Sequence, residues 1–340
     1  MPVDKLKPND PRVQSATANL RGRTYHYLHG KPSGTIKGTV LLVHGWPDLS
    51  FGWRHQVPLL LSLGLEVIVP DCLGYGGTDA PQDLALYSLK SVCDDFAELV
   101  RQICGPDGQI ILGGHDWGGM LVWRFALWHP ELLKGVFSIC TPYVPPSPVF
   151  IDIPDMIKRL PNFSYQAQLA GPDVEREIGS DPDKIRGWLK GMYGAQGPAG
   201  EHVFSVEKGV FFENIDKMGD CPLLNAEEVD FYVQQYARNG VRGPLNWYRT
   251  RKINYEEELA LLKDGQQPKI KIPSLMVTAA QDAALLPSMA AGMDAFFENL
   301  TKASVDGTHW ALWAPWAEQT NGKIEKFVQD LLSGSAKASI

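Results

Sequence analysis

The chain has 340 residues, of which 44% are hydrophobic and 21% are charged, a composition typical of a well-packed globular protein rather than a disordered one. Its 32 Lys and Arg against 39 Asp and Glu give a net charge of −7 without long runs, so no nucleic acid partner is expected. The sequence has no signal-peptide pattern and no apolar run of membrane-spanning length, which predicts a soluble, cytoplasmic protein without a membrane span. The five cysteines are scattered and lack C-x-x-C spacing, which argues against a disulfide framework and a structural zinc site.

Short apolar runs alternate with amphipathic segments in the first part of the chain. Buried parallel strands are predicted at residues 39–43, 66–70, 110–112 and 135–139. Helices are predicted between them over residues 89–104 and 120–128. Because this alternation is typical of a doubly wound α/β sheet, we expect ligand chemistry outside the carboxyl ends of the strands.

The character of the sequence changes after Cys140, where a proline-rich stretch begins. Residues 143–248 show no strong strand pattern and predict a mostly helical insertion, in which Asn225 with Glu228 three residues later marks a helix start and Gly240 its end. Strand patterns resume at residues 272–282 and 301–310. We therefore predict a core made of residues 1–142 and 249–340, interrupted by an inserted unit of residues 143–248.

The segment Gly114-His115-Asp116-Trp117-Gly118 fits the strand-turn-helix nucleophile elbow G-x-S-x-G, with Asp in the central place. Flanking glycines suit such an elbow because a strained central residue projects from the sheet only if its neighbours lack a clashing Cβ. The elbow by itself leaves open a simpler interpretation, in which Asp116 is only the N-cap of the following helix.

Two other stretches supply partners for Asp116. Asp282 and His309 follow the last two strand patterns, and the order nucleophile, acid, histidine is that of this fold. Upstream, the sequence HGWP follows the first core strand, where one backbone N–H of an oxyanion hole is expected. We predict that the N–H groups of Trp46 and Trp117 form this hole, and that the side chain of His44 only stabilises its loop.

An aspartate nucleophile restricts the substrate to one with a leaving group on saturated carbon. Its carboxylate can attack that carbon and form an alkyl ester, and water activated by His309 can then attack the ester carbonyl and regenerate the acid. A serine in the same place would give an ether that activated water does not cleave. The leaving group is then a halide or an epoxide oxygen.

Four motifs carry a resemblance to a known family, and they are HGWPD at 44–48, GGHDWGG at 113–119, GPLNWYR at 243–249 and GTHW at 307–310. Over roughly residues 19–331 the chain resembles the α/β-hydrolase-fold epoxide hydrolases of the soluble type. The resemblance implies the α/β-hydrolase fold with a helical cap, and hydrolysis of apolar epoxides to vicinal diols by water without metal or organic cofactor. It also implies two cap tyrosines that hold and protonate the epoxide oxygen, and the motifs place them at Tyr165 and Tyr248.

We expect Phe163, Trp117 and Trp247 to line an apolar substrate pocket. The chain begins close to its first core strand, so we expect it to lack the N-terminal phosphatase-like domain that other family members carry.

Other interpretations remain open from the residues alone. Tyr165 and Tyr248 could be core aromatics, the protein could be a haloalkane or haloacid dehalogenase whose Trp117 N–H binds halide, or it could be a catalytically silent receptor. A serine esterase is disfavoured because Asp116 occupies the serine position. The identity of the epoxide, its preferred enantiomer, the oligomeric state and a role in detoxification are not readable from the sequence.

Overall fold

A computed structural model describes residues 3–262 and 265–335. The strands are β1 (Val13–Leu20), β2 (Arg23–Gly30), β3 (Gly38–Val43), β4 (Leu65–Pro70), β5 (Ile110–His115), β6 (Leu133–Ile139), β7 (Phe204–Ser205), β8 (Gly209–Val210), β9 (Ser274–Ala279) and β10 (Leu300–Val305). The α-helices are α1 (Val57–Ser62), α2 (Leu89–Cys104), α3 (Trp117–Trp128), α4 (Ile153–Arg159), α5 (Tyr165–Ala170), α6 (Asp173–Ile178), α7 (Pro182–Met192), α8 (Ala226–Asn239), α9 (Arg242–Arg249), α10 (Arg251–Glu258) and α11 (Ala317–Leu332).

Eight strands form one sheet in the order β1-β2-β4-β3-β5-β6-β9-β10. The six strands from β4 to β10 along this order pair in parallel, whereas β1 and β2 add an antiparallel edge next to β4. This is the predicted α/β-hydrolase fold with a mostly parallel sheet, and each predicted strand is present. Strands β1 and β2 were not predicted, because their alternating, half-exposed residues lack the continuous apolar run of a buried strand.

The central strands β3, β4 and β5 are buried along almost their whole length, because helices cover both faces of the sheet. Since these strands run in parallel, their carboxyl ends meet at one edge, and the loops that follow β3, β5, β9 and β10 converge there. That edge holds the Trp46 main chain, Asp116, Asp282 and His309, which are discussed below as parts of a candidate site.

The segment between β6 and β9 is mostly helical, as predicted, and contains α4 to α10 with one short hairpin of β7 and β8. Helix α8 begins with the predicted capping box, in which Asn225 accepts the N–H of Glu228 and Glu228 accepts that of Asn225. It ends at Gly240, whose φ of 66° suits glycine. Within the described ranges, no helix has the length and apolar character needed to cross a bilayer.

Candidate active site

Asp116 occupies the bend between β5 and α3 with φ 53° and ψ −122°, a backbone conformation that non-glycine residues rarely adopt. The glycines around it are required sterically. A Cβ at Gly114 would overlap the carbonyl of Gly118, and a Cβ at Gly118 would overlap the carbonyl of Val43. The Asp116 side chain makes no capping bond to α3, so the geometry disfavours the interpretation of this residue as a simple N-cap. The bend instead presents the carboxylate to the loop after β3.

Backbone N–H groups hold the carboxylate of Asp116. The N–H of Trp46 donates to Oδ1 at 2.7 Å, and the N–H of Trp117 is a second main-chain group whose proximity favours the charged carboxylate. Burial raises the pKa of Asp116, although the charge of His309 and these two N–H groups act in the opposite direction. Gly45 permits this approach, because a Cβ there would overlap the Asp116 side chain. The structure therefore brings the two predicted oxyanion donors to one carboxylate.

His309 lies between two carboxylates. Its Nδ1 is 2.9 Å from Oδ2 of Asp282, and its Nε2 is 3.7 Å from Oδ2 of Asp116. The other oxygen of Asp282 accepts the N–H groups of Ala284 and Leu285, both at 2.9 Å. Because a carboxylate only accepts hydrogen bonds, Nδ1 carries a proton, and Nε2 is the nitrogen that faces Asp116.

Burial disfavours the charged imidazolium of His309, but Asp282 and Asp116 outweigh burial and raise the pKa of His309 to about 9. Burial likewise opposes the charge of Asp282, yet His309 and two backbone N–H groups keep the pKa of Asp282 below its ordinary value. The free site therefore holds an imidazolium with Asp282 ionised beside it.

The main chain of His309 is fixed by two residues that sequence reasoning did not single out. His115 donates from Nε2 to the carbonyl of His309 at 2.8 Å, and the thiol of Cys140 approaches the same carbonyl at 3.6 Å. Burial lowers the pKa of His115 to about 3, so this ring is neutral. One sequence signal existed, since His115 stands inside the elbow motif.

His115, Cys140 and His309 form a group whose possible metal-ligating atoms lie within 4.8 Å of one another. Both His115 and Cys140 contact the His309 carbonyl, and His309 itself is bound to Asp282. These contacts between the loops account for the proximity of the three residues.

His44 stabilises its loop, as the sequence analysis proposed. Its Nδ1 donates to the carbonyl of Gly45 at 2.9 Å, and its Nε2 accepts the N–H of Cys72 at 2.9 Å. Burial lowers the pKa of His44 to about 4, so the ring is neutral and both its nitrogens are occupied. The group of this loop that contacts Asp116 is the N–H of Trp46.

Tyr165 and Tyr248 come from α5 and α9 and are both buried. Their ring centroids are 6.2 Å apart, and both line a cavity of about 780 Å³ together with Asp116, Asp282 and His309. Burial is the main cause that raises the pKa of both phenols, so both are protonated at neutral pH. The Tyr248 ring also packs edge-on against Trp46 at 5.4 Å and Trp117 at 5.2 Å.

The rest of this cavity is mainly apolar and aromatic, and includes Met192, Phe204, Leu223, Trp310 and Trp316. A second cavity of about 360 Å³ also reaches Asp116 and Tyr165. Trp117 and Phe163 border this second cavity.

The expectation that Trp247 lines the substrate pocket does not match the structure. Trp247 lies outside both cavities that reach Asp116 and borders a separate one. The side chain is 2% exposed, and its indole N–H donates to the carbonyl of Leu73 at 3.0 Å. A buried indole N–H needs a partner, and this bond turns the ring toward the core.

Comparison with known proteins finds one matching fold family and several similar epoxide hydrolases. The family described as the alpha/beta hydrolase fold matches residues 38–314. Epoxide hydrolase srdG of Neurospora crassa is 43% identical over 344 residues, which cover 98% of this chain and 100% of that protein. Bifunctional epoxide hydrolase 2 of Sus scrofa is 35% identical over 275 residues, which cover 80% of this chain and 48% of that protein. The crystal structure of epoxide hydrolase A from Mycobacterium thermoresistibile matches with a TM-score of 0.77 at 26% identity, over 93% of this chain and 98% of that chain.

Proposed function

We propose a two-step hydrolysis of epoxides to vicinal diols for this chain, which belongs to the epoxide hydrolases of the α/β-hydrolase fold. The names of its relatives support an epoxide as substrate. One observation carries the proposed mechanism. The Asp116 carboxylate is held through Oδ1, while its Oδ2 faces His309 in a cavity shared with two protonated phenols.

In the first step, Oδ2 of Asp116 attacks one carbon of the epoxide. A carbon–oxygen bond to the enzyme forms, the epoxide C–O bond breaks, and the developing alkoxide takes a proton from Tyr165 or Tyr248. The carboxylate is a weak nucleophile, so proton donation by the phenols is what makes the epoxide oxygen a leaving group. The product of this step is an alkyl ester on Asp116.

Alkylation prepares His309 for the second step. In the free enzyme the negative charge of Asp116 is one of the influences that raise the pKa of His309. The ester is neutral, so this influence disappears and the imidazolium releases its proton to solvent more readily. Neutral His309 then has a free lone pair on Nε2, because Nδ1–H stays bound to Asp282.

In the second step, Nε2 of His309 takes a proton from water, and the hydroxide attacks the carbonyl carbon of the ester. Negative charge develops on Oδ1 of Asp116, where the N–H groups of Trp46 and Trp117 stabilise it. The bond from this carbon to the alkyl oxygen then breaks, and the leaving alkoxide takes the proton from His309. The regenerated carboxylic acid returns its proton to the tyrosinate, and His309 takes up a proton from solvent, which leaves diol and free enzyme.

The helical segment that carries Tyr165 and Tyr248 acts as a cap over the nucleophile in this proposal. An apolar epoxide suits the aromatic lining of the two cavities, which contain Phe163 and Trp117 on one side and Phe204 on the other. The domain limits at residues 143 and 248 and a cytoplasmic location stay predictions.

The variant His309→Gln tests the covalent scheme. Alkylation should proceed without hydrolysis, so intact-mass spectrometry after addition of a styrene-type epoxide should show the substrate mass on the peptide of Asp116. His129→Gln is the control, because His129 pairs with Asp94 away from the site. An unmodified His309→Gln protein would overturn the scheme. So would one turnover of wild-type enzyme in heavy-oxygen water that labels the diol and leaves Asp116 unlabelled.

A further inference from the structure

Three tyrosines converge on the loop that follows Trp46. The Tyr232 hydroxyl donates to Oδ1 of Asp48 at 2.6 Å, and the Tyr236 hydroxyl donates to the backbone carbonyl of Asp48 at 3.2 Å. The Tyr193 hydroxyl donates to the carbonyl of Pro47. Tyr232 and Tyr236 lie on α8, and Tyr193 directly follows α7, so all three belong to the segment inserted between β6 and β9.

All three rings are buried, and so is the loop they contact. Tyr193 packs against Tyr232 with ring centroids 5.5 Å apart, which joins two of the hydroxyl donors into one rigid group. A buried hydroxyl bonded to a main-chain carbonyl fixes that carbonyl in a low-dielectric setting, where such bonds are strong. The position of residues 47 and 48 is therefore set by the inserted helices as well as by the sheet.

This loop also delivers the N–H of Trp46 to Oδ1 of Asp116 at 2.7 Å. Pro47 follows Trp46 directly, so a shift of the Pro47 carbonyl moves the peptide unit next to the donor. On the other side of the site, Trp310 donates its indole N–H to the carbonyl of Met192 at 3.0 Å, next to Tyr193. The end of α7 thus contacts the chain beside both the oxyanion donor and His309.

We propose that Tyr193, Tyr232 and Tyr236 form a clamp that positions the Trp46 N–H for hydrolysis of the ester. This positioning role rests on the proposed two-step function, and it acts unequally on the two steps. During alkylation the negative charge on Oδ1 declines as the carboxylate becomes an ester, so a well-placed donor gives no advantage to that transition state. During hydrolysis negative charge develops on Oδ1, and the same donor stabilises it.

The clamp therefore predicts a kinetic signature that a purely structural role does not produce. Tyr232→Phe keeps the ring and removes one hydroxyl bond to the loop. We expect the rate constant of ester hydrolysis to fall about ten-fold, because small misplacement of an oxyanion donor is costly. The rate constant of alkylation should stay within about two-fold of wild type, so the alkyl-enzyme should accumulate during turnover.

Rapid-quench mixing with a styrene-type epoxide, followed by intact-mass spectrometry and diol analysis, separates the two rate constants. Tyr193→Phe is a second variant that acts on the same loop through the Pro47 carbonyl. Tyr255→Phe is the matched control, because its hydroxyl donates to the carbonyl of Pro148 and its side chain lies outside the large cavity. Thermal unfolding of each variant shows whether it is folded.

The clamp is overturned if folded Tyr232→Phe and Tyr193→Phe match Tyr255→Phe, or if both steps slow equally. His309→Gln, run in parallel, separates this result from a failure of the proposed function. If His309→Gln forms an adduct but the tyrosine variants keep the wild-type ratio of the two rate constants, only the clamp is disproved. Absence of any adduct on His309→Gln removes the covalent scheme and the clamp with it.

Discussion

Replacing Asp282 with Asn alters one charge while keeping the shape of a side chain that is 2% exposed. Two effects on His309 follow, and they oppose each other. A unit charge about 4 Å from the imidazolium is worth about 4 kcal/mol at an effective dielectric of about 20, so its loss disfavours the imidazolium by a factor of about 1000. Taken alone, this change would supply more neutral imidazole for the attack of water.

The second effect is on the tautomer. An amide N–H that faces Nδ1 of His309 forces the proton to Nε2, the nitrogen that must accept a proton from water. In a triad of this type the same Asp→Asn change lowers the rate about 10⁴-fold with both effects included, so the wrong tautomer outweighs the lower pKa. We therefore expect Asp282→Asn to slow ester hydrolysis by about 10³-fold or more and to leave alkylation within about ten-fold.

Single-turnover kinetics with enzyme in excess give both rate constants, with intact-mass spectrometry for the ester and chromatography for the diol. Asp294→Asn is the matched control, because it removes the charge of an exposed aspartate that pairs with Lys302 on the surface. Hydrolysis by Asp282→Asn within about ten-fold of wild type would refute the reasoning that Asp282 sets the tautomer of His309.

Three further predictions concern the same site. Tyr165→Phe or Tyr248→Phe should each slow alkylation by about 10²-fold and the double variant should abolish it, measured by the rate of ester formation, and full activity of the double variant would contradict this. Because only neutral His309 accepts a proton from water, hydrolysis of the ester should rise with pH and the ester should accumulate most at acid pH, as quenched mass spectra will show. Gly45→Ala should abolish ester formation because its Cβ overlaps the Asp116 side chain, and an active, folded variant would disprove this steric limit.

Much of the fold was predictable because each buried strand is a continuous apolar run in the sequence. Strands β3 and β4 differ from the predicted ranges by a single residue, and α2 has the predicted limits. Strand β5 extends to His115, beyond its apolar run, because its residues 113–115 pair with residues 137–139 of β6. That contact depends on a neighbouring strand, so no local pattern reveals it.

The candidate site likewise contains residues that were predictable from the sequence and contacts that were not. Asp116, Asp282 and His309 were predictable because they stand in sequence directly after strands of a known order, and parallel strands bring their carboxyl ends together. The placement of Trp247 depends on a bond to the distant carbonyl of Leu73, and the role of His115 on a bond to His309. Contacts between residues that are far apart in sequence leave no trace in spacing or periodicity.

The backbone of Asp116, with its positive φ, places a demand on the rest of the protein. A conformation of this kind costs on the order of 1 to 3 kcal/mol for a residue with a side chain, and it persists only because the surrounding structure enforces it. Directed evolution for heat resistance would thus favour glycine at position 116, because glycine adopts this backbone conformation without strain. The same substitution removes the carboxylate that the proposed mechanism needs. Thermal robustness and turnover compete at this single residue, and any gain in melting temperature that keeps the enzyme active must be found elsewhere in the chain.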